Sequence, residues 1–250
     1  MTLSDEQLDR YARHIVLREI GGEGQHKLCR ATVAIVGAGG IGSPAIQYLA
    51  AAGVGRLVIV DDDRVALSNL QRQTLFGAGD VGESKALLAK RAVGTLNPDV
   101  VVDARAIRLE PANARDLIAG AEVVIDGSDS FATRLAVADA ALALRLPLVS
   151  AAVAQFEGQL AVYRGWETDK PCYRCLVGDN PDRPEQSCAE QGVLGAMAGV
   201  MGSLAALEAI RAITGFGEDQ SGKLLRIDAL SLRFRVTALA KDPGCSACAG

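Results

Sequence analysis

Thr32-Val33-Ala34-Ile35-Val36-Gly37-Ala38-Gly39-Gly40-Ile41-Gly42 is the stretch that decides the fold. Its first five residues form a short apolar run rich in β-branched side chains, and unbroken apolarity suits a strand buried on both faces of a parallel sheet. The run breaks at Gly37. Glycines at a strand-to-helix turn permit a tight bend and let the backbone approach a phosphate, which the following helix N-terminus favours electrostatically. A helix is expected over 41–52 and a second strand over 57–60, ending at Asp61. That acid lies 24 residues beyond Gly37, where a carboxylate can take ribose hydroxyls. Gly37, Gly39, Gly40, Gly42 and Asp61 thus suit a dinucleotide or ATP, and the stretch alone does not choose between them. No GxxxxGK[ST] pattern occurs. The plain alternative is a glycine-rich turn with no ligand.

The same rhythm extends outward. Helices are expected over 82–95, 112–119 and 131–144, alternating with strands over 100–107, 122–126 and 147–151. Alternation of this kind predicts an α/β, Rossmann-like, mostly parallel sheet flanked by helices. An opening amphipathic helix is expected over 4–17, with Ser4 and Gln7 as a capping box and Leu8, Tyr11, Ala12 and Ile15 on one face. Beyond residue 155 come further, antiparallel strands over 158–163, 224–227 and 232–236. Between them lie a Pro- and charge-rich loop over 178–190 and a Gly/Ala-rich helix over 192–207. Without a repeat or linker, the chain reads as a single domain, 1–250. Its nucleotide-binding part is about 30–150, followed by a second part of about 151–250.

Composition narrows the class. A chain of 250 residues can bury one sizeable core. A net charge of −4 argues against nucleic acid as a partner, which calls for a basic face. No basic start followed by an apolar core suggests secretion. The uncharged stretch 192–207 is shorter than the roughly 18–20 residues a bilayer needs, and Glu208 and Arg211 follow, so it reads as a buried helix rather than a membrane span. Of six cysteines, four fall in two CxxC pairs, which points to metal in a reducing, cytoplasmic compartment.

Ser68-Asn69-Leu70-Gln71-Arg72-Gln73 interrupts the α/β rhythm with a polar loop. Lys85 falls in the first turn of the next helix, where a cation opposes the macrodipole unless an anion lies between. A solvated surface lysine is the bland reading. Arg72 and Lys85 together suit a polyphosphate, because attack on an α-phosphate builds charge that fixed cations and Mg²⁺ stabilise. Asp126 and Asp129 follow a strand at the sheet edge where α/β folds bind ligands, and either can hold Mg²⁺. Asp129 or Ser130 equally suits a helix N-cap. Cys172-Tyr173-Arg174-Cys175 and Cys245-Ser246-Ala247-Cys248 supply four thiolates, the number for a closed structural Zn²⁺ site. Cys188 lies in a polar loop as a possible nucleophile or a spare thiol, and Cys29 reads as structural. His14 and His26 sit in no catalytic-looking context.

Taken together, Arg10-Tyr11-Ala12-Arg13-His14-Ile15, the glycine turn, Leu67-Ser68-Asn69-Leu70-Gln71-Arg72-Gln73, Pro171-Cys172-Tyr173-Arg174-Cys175 and the terminal CxxC resemble the MoeB/ThiF/HesA adenylyltransferases, prokaryotic relatives of ubiquitin-activating enzymes. The likeness runs from about residue 3 to 248. It implies ATP-dependent adenylylation of the C-terminal glycine of a ubiquitin-like sulfur carrier, which is then converted to a thiocarboxylate. It further implies Asp61 on the ribose, and Asn69, Arg72, Gln73 and Lys85 on the phosphates. Asp129 matches the essential acid near Mg²⁺. Arg13 matches an arginine that reaches the nucleotide of a neighbouring subunit, hence a homodimer. The Cys188 position matches a cysteine that takes part in later sulfur transfer in some members. Ser130 departs from the asparagine usual after the essential acid. No rhodanese-like extension follows Cys248, so a separate sulfur donor protein is expected.

Two other classes compete. GxGxxG with Asp61 also suits an NAD(P)-dependent oxidoreductase, but no hydride-transfer constellation appears and Arg72 and Lys85 go unexplained. A non-catalytic nucleotide-binding scaffold predicts that Lys85 is dispensable. The carrier stays open. Asp61-Asp62-Asp63 and the Cys188 loop lean toward the thiamine-thiazole branch, whereas residues 71–75 and Glu157-Gly158-Gln159 suit the molybdopterin branch. Carriers for cysteine biosynthesis or tRNA thiolation also remain open.

Overall fold

The structure, a computed structural model, describes residues 3–179 and 192–249. Five parallel strands come first: β1 (Thr32–Val36), β2 (Arg56–Val60), β3 (Val101–Arg105), β4 (Val123–Asp126) and β5 (Leu148–Ala154). Three antiparallel strands extend the same sheet: β6 (Glu157–Tyr163), β7 (Lys223–Asp228) and β8 (Arg233–Ala238). The order across the sheet is β3-β2-β1-β4-β5-β6-β7-β8. From β1 the chain moves one way to β2 and β3, then crosses over to place β4 on β1's other side. The loops leaving β1 and β4 therefore diverge, and this switch point is where open α/β sheets form a ligand crevice.

Alternate residues of a strand face opposite sides, and β1 shows it. Val33 and Ile35 join one core with Leu28, Ile46, Leu49, Ala89 and Met201. These come from α3 (Gly21–Arg30), α4 (Gly42–Ala51), α5 (Lys85–Leu96) and, C-terminally, the helix Gly195–Thr214. Ala34 and Val36 join a second core with Ile118 of α6 (Ala114–Ile118) and Val137 of α7 (Phe131–Ala143). A run that is apolar at every position is thus explained by burial on both faces.

The N-terminal region differs from expectation. Residues 4–17 form two short helices, α1 (Asp5–Arg10) and α2 (Ala12–Ile15), broken at Tyr11. The break lets the Tyr11 ring sink to 3% exposure while Leu8, expected on the buried face, stays 45% exposed. The capping box at Ser4 and Gln7 is present. Helix α3 was not legible because Gly21, Gly22 and Gly24 lower helix propensity; tertiary burial of Leu28 and Gln25 overrides it. A short helix α8 (Tyr173–Val177) follows Cys172. The Gly/Ala-rich helix, α9 (Gly195–Thr214), starts later than expected and runs past Glu208 and Arg211. Those two side chains pair at 3.1 Å, and Gly215 at φ +80° ends the helix in the left-handed region. By length and composition α9 could cross a membrane, but Ala198, Met201, Ala205 and Ala209 are fully buried against the sheet and α4.

Candidate active site

The crevice at the switch point holds a cleft of about 290 Å³. Gly37 turns the chain out of β1 at φ +89°, and a Cβ at Gly42 would collide with the Gly37 carbonyl oxygen. Only glycine lets α4 start this close to the strand. Gly39 and Gly40 line the cleft itself, next to Gln73 and Arg72. No side chain caps the α4 N-terminus, and within the turn the Ser43 N–H goes to the Gly39 carbonyl at 2.8 Å.

Asp61 leaves β2 and lines the same cleft. Its Oδ2 accepts from the Ala38 N–H at 2.7 Å and its Oδ1 from the Asp63 N–H at 2.9 Å. Burial raises the carboxyl above its ordinary range, with Lys85 and these two N–H groups pulling the other way. The acid therefore also braces the glycine turn. Lys85 is no solvated lysine: it is 4% exposed, lines the cleft and donates to Asp63 Oδ2 at 2.8 Å. Arg72 lines the cleft and spends one N–H on the Ser68 carbonyl at 3.1 Å. Gln73 is buried, and its Oε1 has no hydrogen-bond partner. An orphaned buried oxygen on a residue that lines the cleft fits a ligand-binding group better than a structural one.

The loop after β4 separates two acids that the sequence left equivalent. Asp126 is buried behind the cleft, where Oδ1 accepts from Ser128 N–H at 3.0 Å and Ser128 Oγ at 2.7 Å. Asp129 is exposed on the cleft wall, so of the two it is placed to meet a hydrated cation. Ser130, not Asp129, is the N-cap of α7, accepting from Thr133 N–H at 3.4 Å. Arg134 was missed. It lines the cleft and donates to the carbonyls of Ser128 and Ala151, the latter at 3.1 Å, tying the acid loop to β5. The available signal was its spacing: four residues past the N-cap, a long helical side chain points back toward the helix start.

Not every expected residue meets here. Asn69 caps its own turn, its Oδ1 accepting from Ala66 N–H at 3.1 Å, and does not line the cleft. Arg13 is exposed on α2, away from the cleft. Cys188 lies outside the described residues.

The cysteine pairs do meet, at the far side of α7. The Sγ atoms of Cys172, Cys175, Cys245 and Cys248 all lie within 4.8 Å of one another. Neighbouring pairs are separated by 3.8, 3.6 and 3.5 Å. A disulfide needs about 2.05 Å, whereas four thiolates about 2.3 Å from one Zn²⁺ stand about 3.8 Å apart. The donor set and spacing fit a tetrahedral metal. Burial pushes the Cys172 thiol well up, and a bound cation would reverse that. Arg174, between two of the ligands, forks onto Asp139 of α7 with both contacts at 2.8 Å.

With this geometry in place, likeness to known proteins becomes informative. Residues 11–247 match the profile of the ThiF family. The chain belongs to the ThiF family. Among relatives, the sulfur carrier protein adenylyltransferase of Thermus thermophilus is 46% identical over 99% of this chain and 93% of its own. The sulfur carrier protein ThiS adenylyltransferase of Escherichia coli is 44% identical over 99% and 98%. A crystal structure of E. coli MccB with AMPCPP and MccA superposes with a TM-score of 0.83 at 25% identity, covering 96% of this chain and 74% of that one. The mixed eight-stranded sheet and the cysteine cluster are thus seen within a ThiF-family fold.

Proposed function

We propose that this chain uses ATP to adenylylate the C-terminal glycine carboxylate of a ubiquitin-like sulfur-carrier protein, in thiamine-thiazole or molybdopterin sulfur transfer. One observation carries the reading. The cleft shares Val153 and Ala154 with a second groove, which runs over the antiparallel strands past Glu157, Gln159, Arg226, Arg233 and Arg235. An extended tail lying in that groove delivers its terminal carboxylate into the phosphate cleft. Residues of about 151–250 then receive the carrier and those of about 30–150 the nucleotide.

The carboxylate is already ionised near neutral pH, so no strong base is required. Its oxygen attacks the α-phosphorus, an acyl–phosphate bond forms, the α–β anhydride breaks and pyrophosphate leaves. Charge grows on the α-phosphate oxygens and the leaving group, where Arg72 and Lys85 are fixed in advance. The exposed Asp63 partner keeps the buried Lys85 in place until a phosphate competes for it. Asp129 would hold Mg²⁺, which supplies charge neutralisation to the phosphates. Asp61, Gln73 and the glycine turn orient the nucleotide. Zn²⁺ in the four cysteines serves as a structural clasp. Arg13 acts on the nucleotide of a second copy in a homodimer, and Cys188 acts only in the later sulfur step. The nicotinamide alternative leaves Arg72 and Lys85 without a role, and the scaffold alternative predicts that Lys85→Ala leaves function intact.

The test is ATP–pyrophosphate exchange with a thiazole-type and a molybdopterin-type carrier supplied separately. Exchange that depends on one carrier and its terminal glycine supports the reading and names the branch. Absence of exchange with either, in protein that binds ATP, refutes it for these carriers.

A further inference from the structure

Two buried amides clamp the segment that carries Arg13. Asn97, fully buried at the end of α5, donates one Nδ2 hydrogen to the Tyr11 hydroxyl at 2.9 Å and another to the Ala50 carbonyl at 2.8 Å. Gln25, fully buried on α3, donates from Nε2 to the Ala52 carbonyl at 2.9 Å. Its Oε1 faces His14 Nδ1 at 3.1 Å. Because Nε2 is committed to a carbonyl, Oε1 must be an acceptor, and His14 is the donor. Both carbonyls lie at the C-terminal end of α4, where Ala50 also accepts from the Gly53 N–H at 3.0 Å and Ala52 is the C-cap. Gly53 completes the seat: at φ +77°, it leaves room for the Tyr11 ring, with which a Cβ there would collide.

Arg13 sits between these two anchors and is exposed. A four-residue helix such as α2 has no stability of its own, so its placement must come from its anchors. We infer that Tyr11 and His14, held by Asn97 and Gln25, are positioning residues that fix where α2 presents Arg13 to the second copy's nucleotide. The inference rests on the trans role of Arg13 proposed above. It reads the Arg10-Tyr11-Ala12-Arg13-His14 motif as one reactive side chain between two anchors that point the other way.

Mixed dimers test it. Arg13→Ala and Lys85→Ala chains, each inactive alone, should on mixing recover roughly a quarter of wild-type pyrophosphate exchange, from one complete site in half of the dimers. His14→Phe removes the donor on a half-buried ring. It should lower exchange on the order of tenfold, since small misplacements of a reactive group are costly. Exchange should return when this chain is mixed with Lys85→Ala but not with Arg13→Ala. His14→Asn, which restores a donor near the Nδ1 position, should stay within about threefold of wild type. Gln25→Leu should sort with His14→Phe, and its melting temperature guards against misfolding. Near-normal exchange by His14→Phe overturns the proposal. So does rescue of His14→Phe by Arg13→Ala rather than by Lys85→Ala. If Arg13→Ala and Lys85→Ala fail to complement each other, the trans role of Arg13 falls, and the positioning proposal falls with it.

Discussion

The glycine-turn cleft and the cysteine clasp both lean on α7, yet they treat polar atoms in opposite ways. At the helix start, the cleft keeps groups unfinished: Gln73 Oε1 is buried without a partner, and Lys85 has an exposed aspartate as its ion-pair partner. Toward the other end, Leu142 packs on the cysteines, and Arg174 is paired with both Asp139 and Asp179. Asp179 in turn accepts from Ser246 Oγ at 2.7 Å, closing the clasp across the two CxxC pairs. A site for a ligand that comes and goes tolerates open valences. A site that ties the C-terminus to the body does not.

Removing charge from the cleft should break the comparison most sharply in function. Asp129→Ala is expected to lower pyrophosphate exchange by at least about a hundredfold. Its melting temperature should stay near that of the wild type, because the side chain is exposed and Ser130 is the helix cap. Near-normal exchange would take Asp129 out of the mechanism. The clasp should show the reverse pattern. Cys172→Ser is expected to lose zinc, measured as metal per chain. Its melting temperature should drop by about 2–4 °C for each kcal/mol lost in a chain of this size. Full metal content with an unchanged melting temperature would sink the assignment. The smallest effect tests the open valence itself. Gln73→Leu removes a buried oxygen that has no partner, so stability should hold or rise by up to about 1 kcal/mol while KM for ATP increases. A clear loss of stability would mean that Gln73 is structural after all.

Legibility in the sequence followed the range of the interaction. The strand–turn–helix at 32–42 is local, so Gly37 to Asp61 and the first-turn position of Lys85 could be read directly. The four cysteines were legible despite their separation because thiol spacing is itself a chemical signal. The break at Tyr11 was not, since it depends on Asn97, 86 residues away. Periodicity says which face is buried, but not which distant amide a phenol will meet. Asn69 shows the opposite case: motif likeness places it on phosphate but does not show the local turn cap that it forms with the Ala66 N–H. Arg134 went unread because an arginine on a helix is ordinary until the loop it reaches back to is seen.

Helix α4 has its two ends in different business, with the glycine turn of the cleft at one and the carbonyls of Ala50 and Ala52 that anchor Asn97 and Gln25 at the other. It is therefore a ruler. Deleting one residue would shorten it by about 1.5 Å and turn its far end by about 100°, so the distance from the glycine turn to the seat of Tyr11 and His14 is written in the residue count of α4. The exposed Tyr48 is free to vary in identity, whereas the number of residues between Gly42 and Ala52 is not.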